Sequence, residues 1–566
     1  IAHPRPDAGD RMSRAQRVTA VASALVIATI VSGAAIGTAA SSFASQHSDV
    51  SPIASLEAGP NASMSPAAPE PTASATPITN VVLIMADDLD WQTFMQVPRL
   101  AALRQKGTTF TNHVVTDSLC CPSRTSVLRS QFVHNHQVVS NVQATGGGWP
   151  TFQARGEQSD CLPTWLSAAG VTTAMIGKYL NEYPGPRDPK TYVPPGWSTW
   201  VVPTKNGYEG YNYTLNINGK LQKHAKAPTD YLNDVLDEHA ASFIRASKSP
   251  FYLELTPFAP HLPAPVAPRH VAADLTAVAP RTPNYGATGV GEPSWLAGVP
   301  ALTPKRIKTM DRVWRQRVRS SEAVADSVDT VMNSLRASGK ADSTLVLITS
   351  DNGFHAGNHR LSAGKRTAFR EDAVVPLIAI GPGVTPGATV TAVTSTIDFG
   401  PTFSALLKAP TPTWIDGRSL LPLLQQPTTP AGWRTATITE NDGTAVPGDP
   451  DFTPQSPPRY VAMRSNQWLL VLYANGDREL YNEVSDPYEL VNVVTTTDPS
   501  VVDALTAQAQ ALTACAGATC RVADAMPPPV PLAASATPAS PTSTGNTSSG
   551  ASASPQAPPC PSASAS

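Results

Sequence analysis

Four apolar runs of strand length, each ending in polar or charged residues, constrain this chain more than any other feature. They read NVVLIMADD (80–88), VTTAMIGK (171–178), FYLELTPF (251–258) and STLVLITSDNG (343–353). Such runs mark strands buried on both faces, as in a parallel sheet covered by helices. Between the third and fourth runs, Val324, Val328, Val331 and Leu335 recur at helical spacing within 311–336, and Gly339 stands where a helix C-cap is expected. The alternation predicts an α/β fold, a mostly parallel sheet with helices on both faces, whose ligands bind beyond the carboxyl ends of the strands.

The flanks differ in composition. Arg14 and Arg17 precede the apolar stretch 18–40, and Ser42-Phe43-Ala44 follows as a small-x-small cleavage site, so 12–44 reads as a signal peptide, with an uncleaved anchor as its rival. Residues 45–77 are rich in Ser, Ala and Pro, and 526–566 are almost wholly Pro, Ala, Ser and Thr. Neither segment carries enough apolar surface to offset its ordering entropy, so they read as a disordered linker and tail on a secreted or cell-surface protein. The main domain is assigned to 78–431. Near Gly432 the pattern changes, and 460–494 alternates apolar and polar residues around NGD and SDP turns. A smaller C-terminal α+β domain is expected over 432–525.

A formal net charge of −2 gives no long-range attraction to nucleic acid, and no such partner is expected. The six cysteines, at 120, 121, 161, 515, 520 and 560, are too scattered for a disulfide scaffold. Cys515 and Cys520 could close a small loop. Cys121 reads equally well as a buried thiol or as half of a bridge to Cys161.

Asp87 and Asp88 end one strand run, while Asp351 and Asn352 end another. Adjacent carboxylates repel unless a cation lies between them. Hard oxygen donors from two strand ends suit Ca²⁺, which takes about six to eight oxygens, better than zinc. Either pair alone would read as a turn or cap; their joint position after apolar strands favours the metal. In LCCPSRTS (119–126), Pro122 and Ser123 are ordinary helix-start signals. A cysteine there beside Arg124 is also in an electropositive setting that suits a nucleophile handling an anionic ester.

The stretch Cys120-Cys-Pro-Ser-Arg124, followed by TSVLRSQFVHNHQVVSN, resembles the signature of the type I sulfatases, in which the first cysteine of C-x-P-S-R is converted to formylglycine. The resemblance continues through IMADD, GKYLNEY, APHLP, SDNG, GKRTAFRED, DGRSLLPLL and ELYNEVSDPYEL, and so spans Asn80 to about Asn492. It implies an alkaline-phosphatase-like fold and a formylglycine-generating enzyme as maturation partner. LCCPSR with VHNH and GKYLNEY is most similar to the N-acetylglucosamine-6-sulfatases and heparan 6-O-endosulfatases, so sugar 6-sulfates are the implied substrates.

In that family the hydrated aldehyde attacks sulfur through one hydroxyl and expels sulfate through the other. By resemblance, Asp87, Asp88, Asp351 and Asn352 hold Ca²⁺ together with residue 120, and Arg124 orients the nucleophile. Lys178 and Lys365 bind sulfate oxygens, and His261 protonates the leaving alkoxide. Many sulfatases read G-K-x-H where this chain has Gly177-Lys178-Tyr179-Leu180, so the histidine that assists sulfate release is replaced. His134, His136 and His359 are the candidates for that task, each reading equally well as a hydrogen-bonded structural histidine, and His136 and His359 are also expected to contact substrate. Rival readings are an arylsulfatase, a phosphodiester or phosphonate monoester hydrolase of the same superfamily, and a glycan-binding protein with an unconverted Cys120.

Overall fold

The computed structural model describes residues 77–443, 447 and 451–529. The signal peptide read over 12–44, nearly all of the linker, the tail beyond 529 and Cys560 lie outside the described residues. Those described fall within one compact unit that begins at Ala73. Among them, no helix is long and apolar enough to cross a membrane.

The four apolar runs form Asn80–Ala86, Thr172–Gly177, Phe251–Thr256 and Thr344–Ser350. They lie side by side at the centre of a ten-stranded sheet, and all their mutual pairings are parallel. Their ends are in register: Ala86 pairs with Ser350, and Gly177 with Thr256. Residues 87–88, 178 and 351–352 therefore leave the sheet at one edge. Two features lay outside the expectation. Leu377–Ile380 enters antiparallel beside Thr344–Ser350, and Thr214–Ile217 with Lys220–Lys223 make an antiparallel edge beyond Thr199–Lys205.

Alternate residues of the central strand serve two cores. Val82 and Ile84 pack on one face with the long helix Pro304–Ala337 and the helix Leu232–Ala246. Val81, Leu83 and Met85 face the other, with Val127, Leu166 and Phe403. All five strand side chains are fully buried, each contributing about 1.5–3 kcal/mol through removal from water. Truncating Ile84 to Ala would cost about 2–5 kcal/mol.

The long helix begins seven residues before Asp311. Thr303 caps it by accepting from Arg306 N, and Pro304 takes the first turn, where its missing N–H is not needed. It stops as expected: Gly339, at φ +67°, lets Lys340 N reach Leu335 O at 2.8 Å and its own N reach Arg336 O at 3.1 Å.

The C-terminal part forms a four-stranded antiparallel sheet from Ala436–Asn441, Tyr460–Ser465, Trp468–Tyr473 and Arg478–Asn482. Helix Pro499–Thr513 packs Val501, Leu505 and Leu512 against Ile438, Met463 and Leu470. Cys515 and Cys520 are disulfide-bonded at the end of this layer. Cys121 and Cys161 are free buried thiols, so the open alternative of a bridge between them is not taken up.

Candidate active site

The helix Cys120–Arg129 starts at the carboxyl edge of the sheet, with Cys120 as its first residue and Leu119 as N-cap. Its first turn is anchored to two strand ends, at Asp351 and at Lys178. Ser123 Oγ donates to Asp351 O at 2.5 Å, Arg124 Nε to Asp351 Oδ2 at 2.7 Å, and Arg124 Nη1 to Lys178 O at 2.9 Å. Arg124 thus braces Asp351 directly.

Around Cys120 the strand ends deliver charge. Lys365 Nζ lies 2.8 Å from Cys120 Sγ, 2.6 Å from Asp88 Oδ1 and 3.1 Å from Asp451 Oδ1. Lys178 Nζ lies 2.8 Å from Asp87 Oδ1. His261 Nδ1 donates to Leu262 O at 2.6 Å, and its Nε2 stands 3.2 Å from Asp451 Oδ1 and 3.7 Å from Asp88 Oδ2. Asp88 adopts a left-handed backbone, φ +66°, fixed by its N–H donating to Asp351 Oδ1 at 3.1 Å. The side chains of Asp87, Asp88, Cys120, Lys178, His261, Asp351 and Lys365 are buried, and that of Asp451 is 7% exposed.

Burial opposes every charge here, and at some groups it wins while at others the partners do. The Cys120 thiol is pushed well above its usual range by burial, which outweighs Lys178 and Lys365, so the unmodified cysteine is not an activated thiolate. Burial disfavours ionised Asp351, but Arg124, Lys178 and Lys365 outweigh it and lower its pKa. Asp87 is raised by burial, only partly offset by Lys178 and His261. For His261 the desolvation that disfavours imidazolium is exceeded by Asp88 and Asp87, so its pKa rises. With Nδ1–H committed to Leu262, the charged ring presents an N–H at Nε2.

The oxygen donors here fit a hard cation, whereas the Cys120 thiol and the protonated His261 beside them do not. Asp87, Asp88, Cys120 and His261 each bring a ligating atom into one cluster, and Asn352 Oδ1 is buried with no hydrogen-bond partner. Asn352 Nδ2 donates to Asp88 Oδ1 at 2.7 Å, which leaves that orphaned oxygen for a cation.

Two expected contacts do not join this cluster. His136 is held by Ser126 Oγ at Nε2, 2.9 Å, and by Val138 N–H at Nδ1, 3.1 Å, so both ring nitrogens are engaged inside the fold. His359 stacks on Phe369 at 3.8 Å and lies by Glu371 and Glu489. Both are buried, and desolvation keeps both neutral. His134, the third candidate for sulfate release, is bonded to Glu440 and Cys515 O.

The structure adds three residues. Asp451 enters from the C-terminal part; its segment GDPDFTP reads as an ordinary turn. Asn141, just after VHNHQVVS, accepts from Cys121 N at 2.9 Å and donates to Asp451 Oδ2 at 2.6 Å. Tyr208 places its ring 4.5 Å from that of His261 and 5.1 Å from Lys178 Nζ. A cavity of about 150 Å³ lined by Lys178, Asn181, Tyr208 and Phe258 opens beside it.

Comparison with known proteins identifies the family of the chain. The family model described as Sulfatase matches residues 79–409, and that described as N-sulphoglucosamine sulphohydrolase, C-terminal, matches 357–514. The N-acetylglucosamine-6-sulfatases of Capra hircus and Homo sapiens are each 33% identical, over 78% and 79% of this chain and 84% and 87% of their own. A solved structure described as a complex with its substrate D-glucosamine-2-N,6-O-disulfate has a TM-score of 0.62 at 22% identity, covering 74% of this chain and 94% of that one. A family match over more than half of its length and relatives alike along most of it carry one conclusion: the chain belongs to the sulfatase family.

Proposed function

We propose that this sulfuric ester hydrolase removes sulfate from sugar 6-sulfates, with N-acetylglucosamine-6-sulfate as the first compound to try. The observation that carries the reading is the single ammonium of Lys365 shared by Cys120 Sγ and Asp88 Oδ1, which joins the residue to be modified to the metal-type carboxylates. Similarity to the named 6-sulfatases supports the sugar.

Converted to formylglycine by a generating enzyme, residue 120 supplies a hydrated aldehyde as nucleophile. Asp87, Asp88, Asp351 and Asn352 would hold Ca²⁺, which would supply positive charge to offset that of the sulfuryl group. Lys178 and Lys365 donate to those oxygens, from positions fixed by Asp87 and Asp88. His261 carries a proton on Nε2 and gives it to the departing alkoxide, a poor leaving group without an acid. Arg124 keeps Asp351 ionised and in place.

The near-neutral chain lacks a long basic insertion for holding a polyanion, which favours small or terminal substrates over internal units of a polymer. The Cys515–Cys520 disulfide supports export to an oxidising compartment.

The test is an assay of converted protein on N-acetylglucosamine-6-sulfate, intact heparan chains, an aryl sulfate and a phosphonate monoester. Sulfate release from the monosaccharide is the expected result. Release only from internal polymer units, or activity confined to aryl sulfate or phosphonate, would contradict it.

A further inference from the structure

Asp451 lies between the strands Ala436–Asn441 and Tyr460–Ser465 of the C-terminal sheet, yet its carboxylate reaches the catalytic cluster. Only 7% of its side chain is exposed. Oδ1 is 3.2 Å from His261 Nε2 and 3.1 Å from Lys365 Nζ; Oδ2 accepts from Asn141 Nδ2 at 2.6 Å and is 3.9 Å from Cys120 Sγ. A reacting sulfate ester needs these same surroundings. Its bridging oxygen must meet His261 Nε2, a terminal oxygen must meet Lys365, and its sulfur must face residue 120.

The carboxylate of Asp451 therefore stands where the ester has to sit. Two anions in contact repel, so the ester must take His261, Lys365 and Asn141 away from it. Asn141 is ready to be taken over, because the Cys121 N–H fixes its amide with Nδ2 facing that seat. The displaced carboxylate then remains at the rim beside the alcohol half of the substrate. A buried carboxylate without donors is unfavourable, and the alcohol half decides whether it finds any. A sugar 6-sulfate brings a hydroxyl donor on C4, two carbons from its sulfated carbon, within reach of the rim. A simple aryl group brings none.

We propose that Asp451 is a specificity residue: it holds the ester seat until a substrate arrives whose alcohol half can hydrogen-bond the displaced carboxylate, so that sugar sulfates are selected over aryl sulfates. This rests on the sulfatase reading and names the feature of the substrate that the site selects.

The experiment measures kcat/KM of converted wild type, Asp451→Ala and Asp451→Asn on N-acetylglucosamine-6-sulfate and on a nitrophenyl sulfate, with inorganic sulfate as inhibitor. The sugar-to-aryl ratio should fall about tenfold or more in Asp451→Ala, and inorganic sulfate should inhibit that variant more strongly than wild type. Asp451→Asn, which keeps the shape and loses the charge, should shift the ratio in the same direction. Equal losses on both esters, or an unchanged ratio, overturn the role of Asp451. If Asp451→Ala does not fold, the ratio in Asp451→Asn decides. No turnover of either ester by converted wild type overturns the sulfatase reading itself, whereas wild-type turnover with unshifted variants overturns only the specificity role.

Discussion

Lys365 Nζ lies 2.8 Å from Cys120 Sγ and 2.6 Å from Asp88 Oδ1, so one ammonium bridges the thiol and the carboxylate. The ammonium places positive charge beside the side chain of residue 120, where the proposed mechanism puts the nucleophile. Burial works against that charge, but Asp451 and Asp88 outweigh it and raise its pKa well above the usual lysine value. Replacing Lys365 with Met, which keeps the stem and removes the charge, should lower kcat about 10²–10³-fold with a smaller change in KM. Steady-state kinetics check this, and a kcat within tenfold of wild type contradicts it.

Calcium should stabilise the fold as well as serve turnover. The clustered carboxylates of Asp87 and Asp88 and the orphaned Asn352 Oδ1 are preorganised only in the native state, so a cation that binds there stabilises by about 3 kcal/mol at a hundredfold excess over its Kd. Melting of metal-depleted protein should move upward with added Ca²⁺, more than with Mg²⁺, and Asn352→Ala should reduce the shift. Zinc found at stoichiometric level by elemental analysis would count against the calcium assignment.

The Cys515–Cys520 bridge closes a loop of sequence separation 5, beside the C-terminal core. A loop this short restrains the unfolded chain by about 2 kcal/mol. The double change Cys515→Ser with Cys520→Ser should lower the unfolding free energy by that amount, read as a lower denaturant midpoint. An unchanged midpoint would show that the bridge adds nothing to stability.

Glu479 gives a pH dependence remote from the cluster around Cys120. Burial raises its pKa to about 7, against the hydroxyls of Tyr473 and Tyr481, which donate to it at 2.6 Å. The native state therefore favours the protonated acid more than the unfolded chain does. Its stabilising contribution is complete below the ordinary value near 4.5 and is lost as pH rises to about 7, amounting to as much as ~3 kcal/mol. Melting temperature against pH should fall less steeply between these limits in Glu479→Gln. An unaltered slope would contradict the assignment.

The sheet and the metal-type strand ends were legible because the same residues do both jobs: an unbroken apolar run sets a central strand, and the acids after it mark its carboxyl end. Lys178 and His261 follow the same logic, since each trails a buried strand. The start of the long helix was legible only in Thr303 and Pro304, which lie before the periodic valines. His136 and His359 read as site residues because histidines near a motif look chemical, and only burial and bonded ring nitrogens reveal otherwise. Cys121 and Cys161 could not be separated from a disulfide by spacing alone. Asp451 was illegible for a different reason: its neighbours are turn formers, and its approach to His261 depends on how the C-terminal sheet meets the first, a relationship that local pattern does not encode.

The most direct test of the account is the mass of the peptide spanning residue 120 from a preparation whose sulfate-ester turnover has been measured. The account predicts a residue that has lost the atoms of hydrogen sulfide and gained one oxygen, the change from cysteine to formylglycine, in proportion to activity across preparations. Full turnover by protein whose Cys120 retains its thiol would contradict it.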